Sequence, residues 1–156
     1  DFIDGSRGTE EGQAIVPKVA AKIREYQGAG EQISFTRDTH GEDYLETPEG
    51  KKLPGEHCIK GTKGWMIADG LEVDGAEYID KPNFGWSYWN EWTFDEIEMV
   101  GLCTDICVVS NALLLKAEFP EVKITVDASC RAGVTPESHE AALLNKQMCQ
   151  IDVVNE

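Results

Sequence analysis

The segment GLCTDICVVSNALLLKAEF, residues 101–119, places Cys107 near the start of a predicted helix. Free cysteine is among the most buried residue types, so core packing is one interpretation of Cys107. The other interpretation is nucleophilic catalysis, because a helix start favours the thiolate and lowers the pKa of a cysteine from its usual value of about 8.5. The backbone amides of Cys103 and Cys107 would then also donate to the oxyanion of a tetrahedral intermediate.

Polar side chains that could support this chemistry follow two other predicted strands. Asp38 and His40 come directly after one strand, and Lys81 comes directly after the next. A lysine near Cys107 would further favour the thiolate. Because ligands of α/β proteins bind at the carboxyl ends of parallel strands, we expect these side chains to converge on one crevice.

The elements that must position these residues alternate between helix and strand. Apolar periodicity predicts helices at 14–28, 104–118 and 135–149. Short apolar runs predict strands at 33–37, 76–80, 95–102, 123–129 and 150–154, and a long polar stretch at 38–63 separates the first two. Thr135 and Pro136 suit the N-cap and the first position of the last helix, and Pro17 suits the first turn of the first helix. The alternation predicts a single α/β domain, residues 1–156, with a mainly parallel sheet covered on both faces.

Composition excludes several classes of function. The 156 residues carry a formal net charge of −15, which would repel nucleic acid and anionic membrane surfaces. No apolar run reaches the length of a membrane span, and the first residues lack the pattern of a signal peptide. We therefore expect a cytoplasmic protein in which the five irregularly spaced cysteines stay reduced.

Other cysteine and phosphate motifs are absent from the sequence. A phosphatase loop needs an arginine six positions after its cysteine, and Leu113 stands there. There is no CxxC redox pair, no P-loop and no dinucleotide-binding fingerprint. These absences argue against phosphatase and dithiol redox chemistry at Cys107.

Six segments together cover nearly the whole chain: DFIDG, FTRDTH, LPGEHCIKGTKG, IDKPNFG, GLCTDICVVSNALLLKA and DASCRAGVTPESHEAAL. In these segments the chain resembles the isochorismatase-like cysteine hydrolases, and among them most closely the nicotinamidases. The resemblance implies a Rossmann-like three-layer α/β/α fold. It also implies that Cys107 is the nucleophile, that Lys81 is its supporting lysine, and that a cis peptide joins Leu102 to the oxyanion-hole residue Cys103.

The resemblance also implies a divalent metal, held by Asp38, His40 and His57, with Glu49 as an additional candidate from the pattern of some relatives. Such ligands suit zinc, and also iron or manganese. The metal would hold the pyridine nitrogen of the substrate and would not activate a water. Taken by themselves, the same residues could instead be a turn cap and two solvated loop histidines.

Aromatic residues are candidates for the walls of a substrate pocket. Phe2 matches the ring-contact position of the family. Four further aromatic residues follow Lys81, and the choice among them stays open between ring contact and packing: Phe84, Trp86, Tyr88 and Trp89. His139 has no such match, and we expect it at the surface.

The general base of the family is an aspartate at the end of its first strand, shortly before the aspartate that matches Asp1. We therefore expect this strand and its base to lie before residue 1. Neither Asp1 nor Asp4 matches the base, so neither is assigned that role.

The predicted function is hydrolysis of nicotinamide to nicotinate and ammonia through a cysteine thioester, in NAD salvage. The expected partners are a small amide substrate and further copies of the same chain in a homo-oligomer. Two alternatives stay open. One is a metal-free relative that acts on another small amide or carbamoyl compound, and the other is a catalytically silent binding module of the same fold.

Overall fold

A computed structural model describes all residues, 1–156, and the chain divides into two compact units. Unit 1 comprises residues 1–13 and 20–83, and unit 2 comprises residues 14–19 and 84–156. All helices of the chain are too short or too polar to cross a membrane.

Helix α1, Glu10–Ala29, begins earlier than the apolar periodicity predicted. Thr9 is its N-cap, and the Thr9 side chain accepts a hydrogen bond from the backbone N–H of Gly12 at 3.0 Å. This cap starts the helix before its first apolar residue, so Pro17 lies inside the helix and not in its first turn. Gly30, with φ of 73°, ends the helix in the left-handed conformation that glycine adopts without strain.

The sheet of unit 1 has two parallel strands, β1, Ser34–Asp38, and β2, Glu77–Lys81. Their last residues, Asp38 and Lys81, are register partners. Two polar side chains are therefore brought together at the carboxyl ends of the strands.

The polar stretch at 38–63 contains more regular structure than the sequence predicted. Helix α2, Pro48–Lys52, has Thr47 as its N-cap. Short 3₁₀ turns lie at Tyr44–Glu46 and Lys63–Trp65. Tyr44 is fully buried, so this stretch packs as part of unit 1.

The sheet of unit 2 has three parallel strands in the order β3, Glu96–Leu102; β4, Lys123–Ala132; and β5, Asp152–Val154. The pairing of β3 with β4 shifts between Met99 and Gly101, where Gly101 has φ of 108°. Pairing resumes with Gly101 opposite Arg131, which extends β4 beyond its predicted end. All five predicted strands are present, and every pairing is parallel as predicted.

The helices of unit 2 follow β3 and β4. A π-helical turn, Thr104–Val108, leads into α3, Val109–Glu118, and we call the first of these segments the Cys107 turn. Helix α4, Pro136–Met148, has Thr135 as its N-cap, as predicted. Residues 14–19, the Cys107 turn, α3, β4, α4 and the residue before β5 contribute buried apolar side chains to the core: Ile15, Val19, Val108, Ala112, Leu115, Ile124, Val126, Leu143 and Ile151.

Candidate functional site

The predicted metal ligands Asp38, His40 and His57 lie together in unit 1, and all three are buried. One ligand atom from each lies within 4.8 Å of the other two. Asp38 ends β1, and His40 follows it in an isolated parallel bridge to Ile59. The backbone N–H of His40 donates to the carbonyl of Cys58 at 2.9 Å, which places the neighbouring His57 beside His40. We call these three ligands the Asp–His–His cluster.

The donor atoms of this cluster fit a divalent metal. His57 Nδ1 lies 3.0 Å from the carbonyl oxygen of Gly55, an arrangement that orients a metal-binding imidazole through its other nitrogen. His40 Nε2 is buried and has no hydrogen-bond partner. Burial lowers the pKa of His40, although Glu49 partly opposes this, and the neutral imidazole is the form that binds metals. A buried, unpartnered nitrogen beside a carboxylate and a second histidine is a set that zinc or a similar ion would satisfy.

Glu49 and Tyr44 lie against the Asp–His–His cluster. Glu49 on α2 places Oε1 at 3.7 Å from His40 Nε2, which keeps it a candidate for an additional ligand. The ring of Tyr44 lies 4.8 Å from that of His40 and 4.9 Å from that of His57, measured between centroids. Its hydroxyl donates to the carbonyl of Leu53 at 2.8 Å, and burial raises its pKa. Sequence reasoning missed Tyr44, although a lone aromatic residue in a polar stretch next to His40 was a usable signal.

Lys81 is almost completely buried, with 2% of its surface exposed. Its Nζ donates to the carboxylate of Asp38 and, at 3.3 Å, to the carbonyl of Asn83. Within unit 1, therefore, Lys81 supports the predicted metal ligand Asp38. Its predicted support of the thiolate stays a prediction.

The first residues of the chain pack beside His57. The ring of Phe2 meets the His57 ring edge-on, with centroids 5.9 Å apart. The Asp1 carboxylate accepts a hydrogen bond from the backbone N–H of Cys58 at 2.8 Å. Asp1 therefore stabilises the backbone next to a predicted ligand, and Phe2 packs on that ligand, while its predicted contact with the substrate ring stays a prediction.

The Cys107 turn begins after the cis peptide bond expected between Leu102 and Cys103. The carbonyl of Cys103 accepts hydrogen bonds from the backbone N–H groups of Ile106 and Val108, both at 3.1 Å. Cys107 is half-buried, and the five cysteines form no disulfide bonds. Cys107 therefore lies at the start of a continuous helical segment, as the sequence predicted.

Asn111 attaches the aromatic segment, residues 84–89, to the Cys107 turn. Sequence reasoning missed this role of Asn111. Its buried carboxamide donates to the carbonyl of Cys107 at 2.8 Å and to the carbonyl of Phe84 at 3.0 Å. Its Oδ1 accepts from the backbone N–H of Trp86 at 2.8 Å. A single asparagine one helical turn after a cysteine, on an otherwise apolar face, was the only sequence signal.

The aromatic candidates after Lys81 differ in burial. Trp89 is buried and packs against Trp92 and Phe94, with centroid distances of 6.0 and 6.3 Å, so it belongs to the core. Tyr88 is 54% exposed and meets Trp86 edge-on at 5.2 Å. Phe84 and Trp86 are half-buried. This packing favours a core role for Trp89, and the choice among the four residues for ring contact stays open.

Two side chains of α4 bind Thr104, the first residue of the Cys107 turn. His139 Nδ1 lies 2.8 Å from the Thr104 hydroxyl, and Lys146 Nζ donates to the Thr104 carbonyl at 3.0 Å. The expectation that His139 lies at the surface is wrong, because it is half-buried against this hydroxyl. Lys146 is fully buried, and burial lowers its pKa to about 8.

A third α4 contact holds the next residue of the turn. The carboxylate of Asp105 accepts hydrogen bonds from the Ser138 hydroxyl and from the backbone N–H of Val134, the latter at 3.1 and 3.2 Å. Ser138 also completes the capping box with Thr135 at the start of α4. The Cys107 turn is therefore joined to the beginning of α4 by several polar contacts.

Comparison with known proteins identifies the family. A model of the isochorismatase domain matches residues 1–155. The chain belongs to the isochorismatase family. The predicted three-layer α/β fold is confirmed by solved structures of isochorismatase-like proteins.

Several relatives align over nearly the whole chain. The nicotinamidase/pyrazinamidase of Mycobacterium tuberculosis is 22% identical over 99% of this chain and 92% of its own length. The crystal structure of pyrazinamidase/nicotinamidase from Streptococcus mutans has a TM-score of 0.82 at 27% identity, covering 97% of this chain and 92% of that one. The pyrazinamidase of Pyrococcus horikoshii, solved in complex with zinc, has a TM-score of 0.85 at 23% identity, covering 99% and 93%.

Proposed function

We propose that this isochorismatase-family protein is a metal-dependent amidohydrolase that converts nicotinamide to nicotinate and ammonia. The observation that carries the proposal is the buried Asp–His–His cluster with the unpartnered His40 Nε2, because a metal-free amidase has no need of such a set. The nicotinamidase/pyrazinamidase relatives support the choice of substrate class.

Asp38, His40 and His57 would hold the metal, with Glu49 near enough to join them. The zinc complex of the relative from Pyrococcus horikoshii supports zinc, and the same ligands suit iron or manganese. When bound, such an ion offers a coordination position for the pyridine nitrogen of nicotinamide. Phe2, edge-on to His57, would contact the flat ring.

In the proposed reaction, the thiolate of Cys107 attacks the carboxamide carbon of the substrate. A carbon–sulfur bond forms, and the oxyanion is held by the backbone amides of Cys103 and Cys107. The carbon–nitrogen bond then breaks, the nitrogen takes up a proton and leaves as ammonia, and a thioester remains on Cys107. Water hydrolyses the thioester to nicotinate and restores the thiol.

Proton transfer and charge stabilisation complete the proposed reaction. Lys81 contributes the buried positive charge that the resemblance to the family assigns to it. The proton transfers belong to the general-base aspartate of the family, and neither Asp1 nor Asp4 is given that task. A role in NAD salvage and assembly into a homo-oligomer are part of the same proposal.

The proposal is tested by measuring ammonia release from nicotinamide and from benzamide, using protein with its natural N-terminus and saturating zinc or manganese in separate assays. Benzamide has the shape of nicotinamide but no ring nitrogen, so we expect it to be the poorer substrate. The Cys107→Ala variant controls for ammonia that does not come from the enzyme.

Each other outcome has a defined meaning. Equal rates on the two amides would refute a role of the metal at the pyridine nitrogen. Hydrolysis of a carbamoyl compound but not of nicotinamide would favour the metal-free alternative. Ammonia from no substrate, with Cys107 intact and metal bound, would favour a silent binding module.

A further inference from the structure

Thr104 stands out in unit 2 because it is fully buried and one helix binds both its hydroxyl and its carbonyl. Its hydroxyl lies 2.8 Å from His139 Nδ1, and its carbonyl accepts from Lys146 Nζ at 3.0 Å. His139 and Lys146 are two helical turns apart on α4, so they lie on the same face of that helix. One face of α4 thus binds the residue at which the Cys107 turn begins.

These contacts are stronger than ordinary surface hydrogen bonds. Buried polar groups nearly always need a partner, so loss of the His139 contact would leave the Thr104 hydroxyl unsatisfied, and loss of the Lys146 contact would remove one donor from its carbonyl. The bond from Lys146 is also made by a charged donor, which strengthens it. The residues facing Lys146 are Arg131, which lowers its pKa, and Asp105, which raises it, although burial has the largest effect.

The position of Thr104 in the chain gives the contacts a consequence for Cys107. The Cys103 carbonyl spans the turn by accepting from Ile106 and Val108, and Thr104 is the residue directly after that carbonyl. A shift of Thr104 would therefore move the amides around Cys107. The direction of those amides determines how well the turn stabilises a thiolate.

We propose that His139 and Lys146 are positioning residues that hold Thr104, and thereby the Cys107 turn, in the geometry that makes the Cys107 thiol reactive. The catalytic consequence rests on the proposed function, in which Cys107 is the nucleophile. The effect on thiol reactivity can be measured without any substrate.

The test measures the rate at which iodoacetamide alkylates Cys107 as a function of pH, followed by mass spectrometry of the peptide that contains it. A Cys149→Ser background removes the exposed thiol. Thr104→Val removes the hydroxyl at nearly constant volume, and Thr104→Ser keeps it. His139→Phe and Lys146→Met remove the two α4 partners of Thr104.

A matched control is available on α3. Lys116 also donates to a backbone carbonyl, that of Pro120 at 2.9 Å, but this hydrogen bond is exposed to solvent. Lys116→Met therefore removes a lysine bond of the same kind without touching Thr104. A general effect of losing a lysine would appear in both variants.

We expect Thr104→Val, His139→Phe and Lys146→Met each to slow alkylation at neutral pH roughly fivefold, about the effect of one lost hydrogen bond. We also expect them to move the pH profile of alkylation to higher pH. Thr104→Ser and Lys116→Met should retain the profile of the parent. In assays of ammonia release, kcat should fall while KM stays nearly constant.

A purely structural role would lower the melting temperature and leave the pH profile of Cys107 unchanged, and that result would overturn the proposal. If Lys146→Met does not fold, Thr104→Val and His139→Phe decide the question, since both make smaller changes. A shifted profile in a protein that hydrolyses no amide would support the positioning role and refute the proposed function.

Discussion

The Asp–His–His cluster of unit 1 and the Cys107 turn of unit 2 both follow the carboxyl end of a parallel strand, but they are supported differently. In the cluster, the candidate functional side chains are buried and lie against one another. In the turn, the candidate functional atom is a single sulfur, on the half-buried residue Cys107. Its surroundings are held by Asn111 and by side chains of α4.

This difference shows why the two regions are not equally visible in a sequence. Metal ligands are themselves the site, so the resemblance to the family could assign Asp38, His40 and His57 directly, although by type alone they could be a turn cap and two loop histidines. The reactivity of a nucleophile depends on the backbone around it, which residues of ordinary type keep in place. The following predictions test this contrast by removing one part of either region.

The largest effect is expected for Cys107→Ala. Without the sulfur no thioester can form, so ammonia release should fall by roughly a thousandfold or more. Metal content should stay near that of the parent, since unit 1 is unaltered. Cys149→Ala and Cys130→Ala should largely retain activity, and normal turnover by Cys107→Ala would show that another group is the nucleophile.

The reciprocal change is His57→Ala, which removes one of the three predicted ligands. We expect zinc affinity to fall by about a hundredfold or more, because two remaining ligands hold an ion poorly. Elemental analysis after dialysis against a chelator measures the loss. The alkylation rate of Cys107 in metal-free His57→Ala, compared with the parent, shows whether loss of the metal site affects the Cys107 turn. An unchanged metal content in His57→Ala would show that His57 is not a ligand.

A smaller effect is expected at Tyr44, which contacts both histidines. Tyr44→Leu removes the ring, and we expect it to weaken zinc binding by roughly tenfold, as supporting residues of metal sites do. Tyr44→Phe keeps the ring and loses only the hydrogen bond to Leu53, so its loss should be about twofold to fivefold. Competition with a chromophoric chelator measures both values. Equal losses in the two variants would assign the effect to the hydroxyl.

The last prediction concerns stability and not activity or binding: it is the pH dependence of stability through Lys146. Its pKa is lowered to about 8 in the folded protein from an ordinary value of 10.5. Between these two pKa values the unfolded chain binds more protons than the folded protein, so Lys146 makes the free energy of unfolding rise with pH. Below about pH 8 the lysine is protonated in both states, and the full cost of burying its charge destabilises the folded protein.

Urea unfolding at pH 7.5 and pH 10, on the parent and on Lys146→Met, isolates this contribution. The other groups titrate in both proteins, so their contributions to the pH dependence of the free energy of unfolding cancel in the difference between the two. We expect the parent to gain stability relative to Lys146→Met as the pH rises. A stability difference that does not change with pH would contradict the lowered pKa.

The sequence by itself determined the elements and the residues whose chemistry is carried by their type. Alternating apolar periods indicated all five strands and the helices α1, α3 and α4, because these patterns reflect burial of one face. Thr135 and Pro136 predicted the start of α4, since capping is a local interaction. The residues of the Asp–His–His cluster were assigned as ligands by the resemblance to the family, and the structure places them together.

Only the tertiary structure decided the supports of those residues. Tyr44 packs on two histidines, Asn111 ties the aromatic segment to the carbonyl of Cys107, and His139 lies against Thr104 and not at the surface. These contacts join residues that become adjacent only when helices and strands pack. No local sequence pattern specifies the partner of a tyrosine, an asparagine or a histidine. Local propensity and periodicity therefore indicate the elements, whereas the polar contacts between them depend on how the chain is folded.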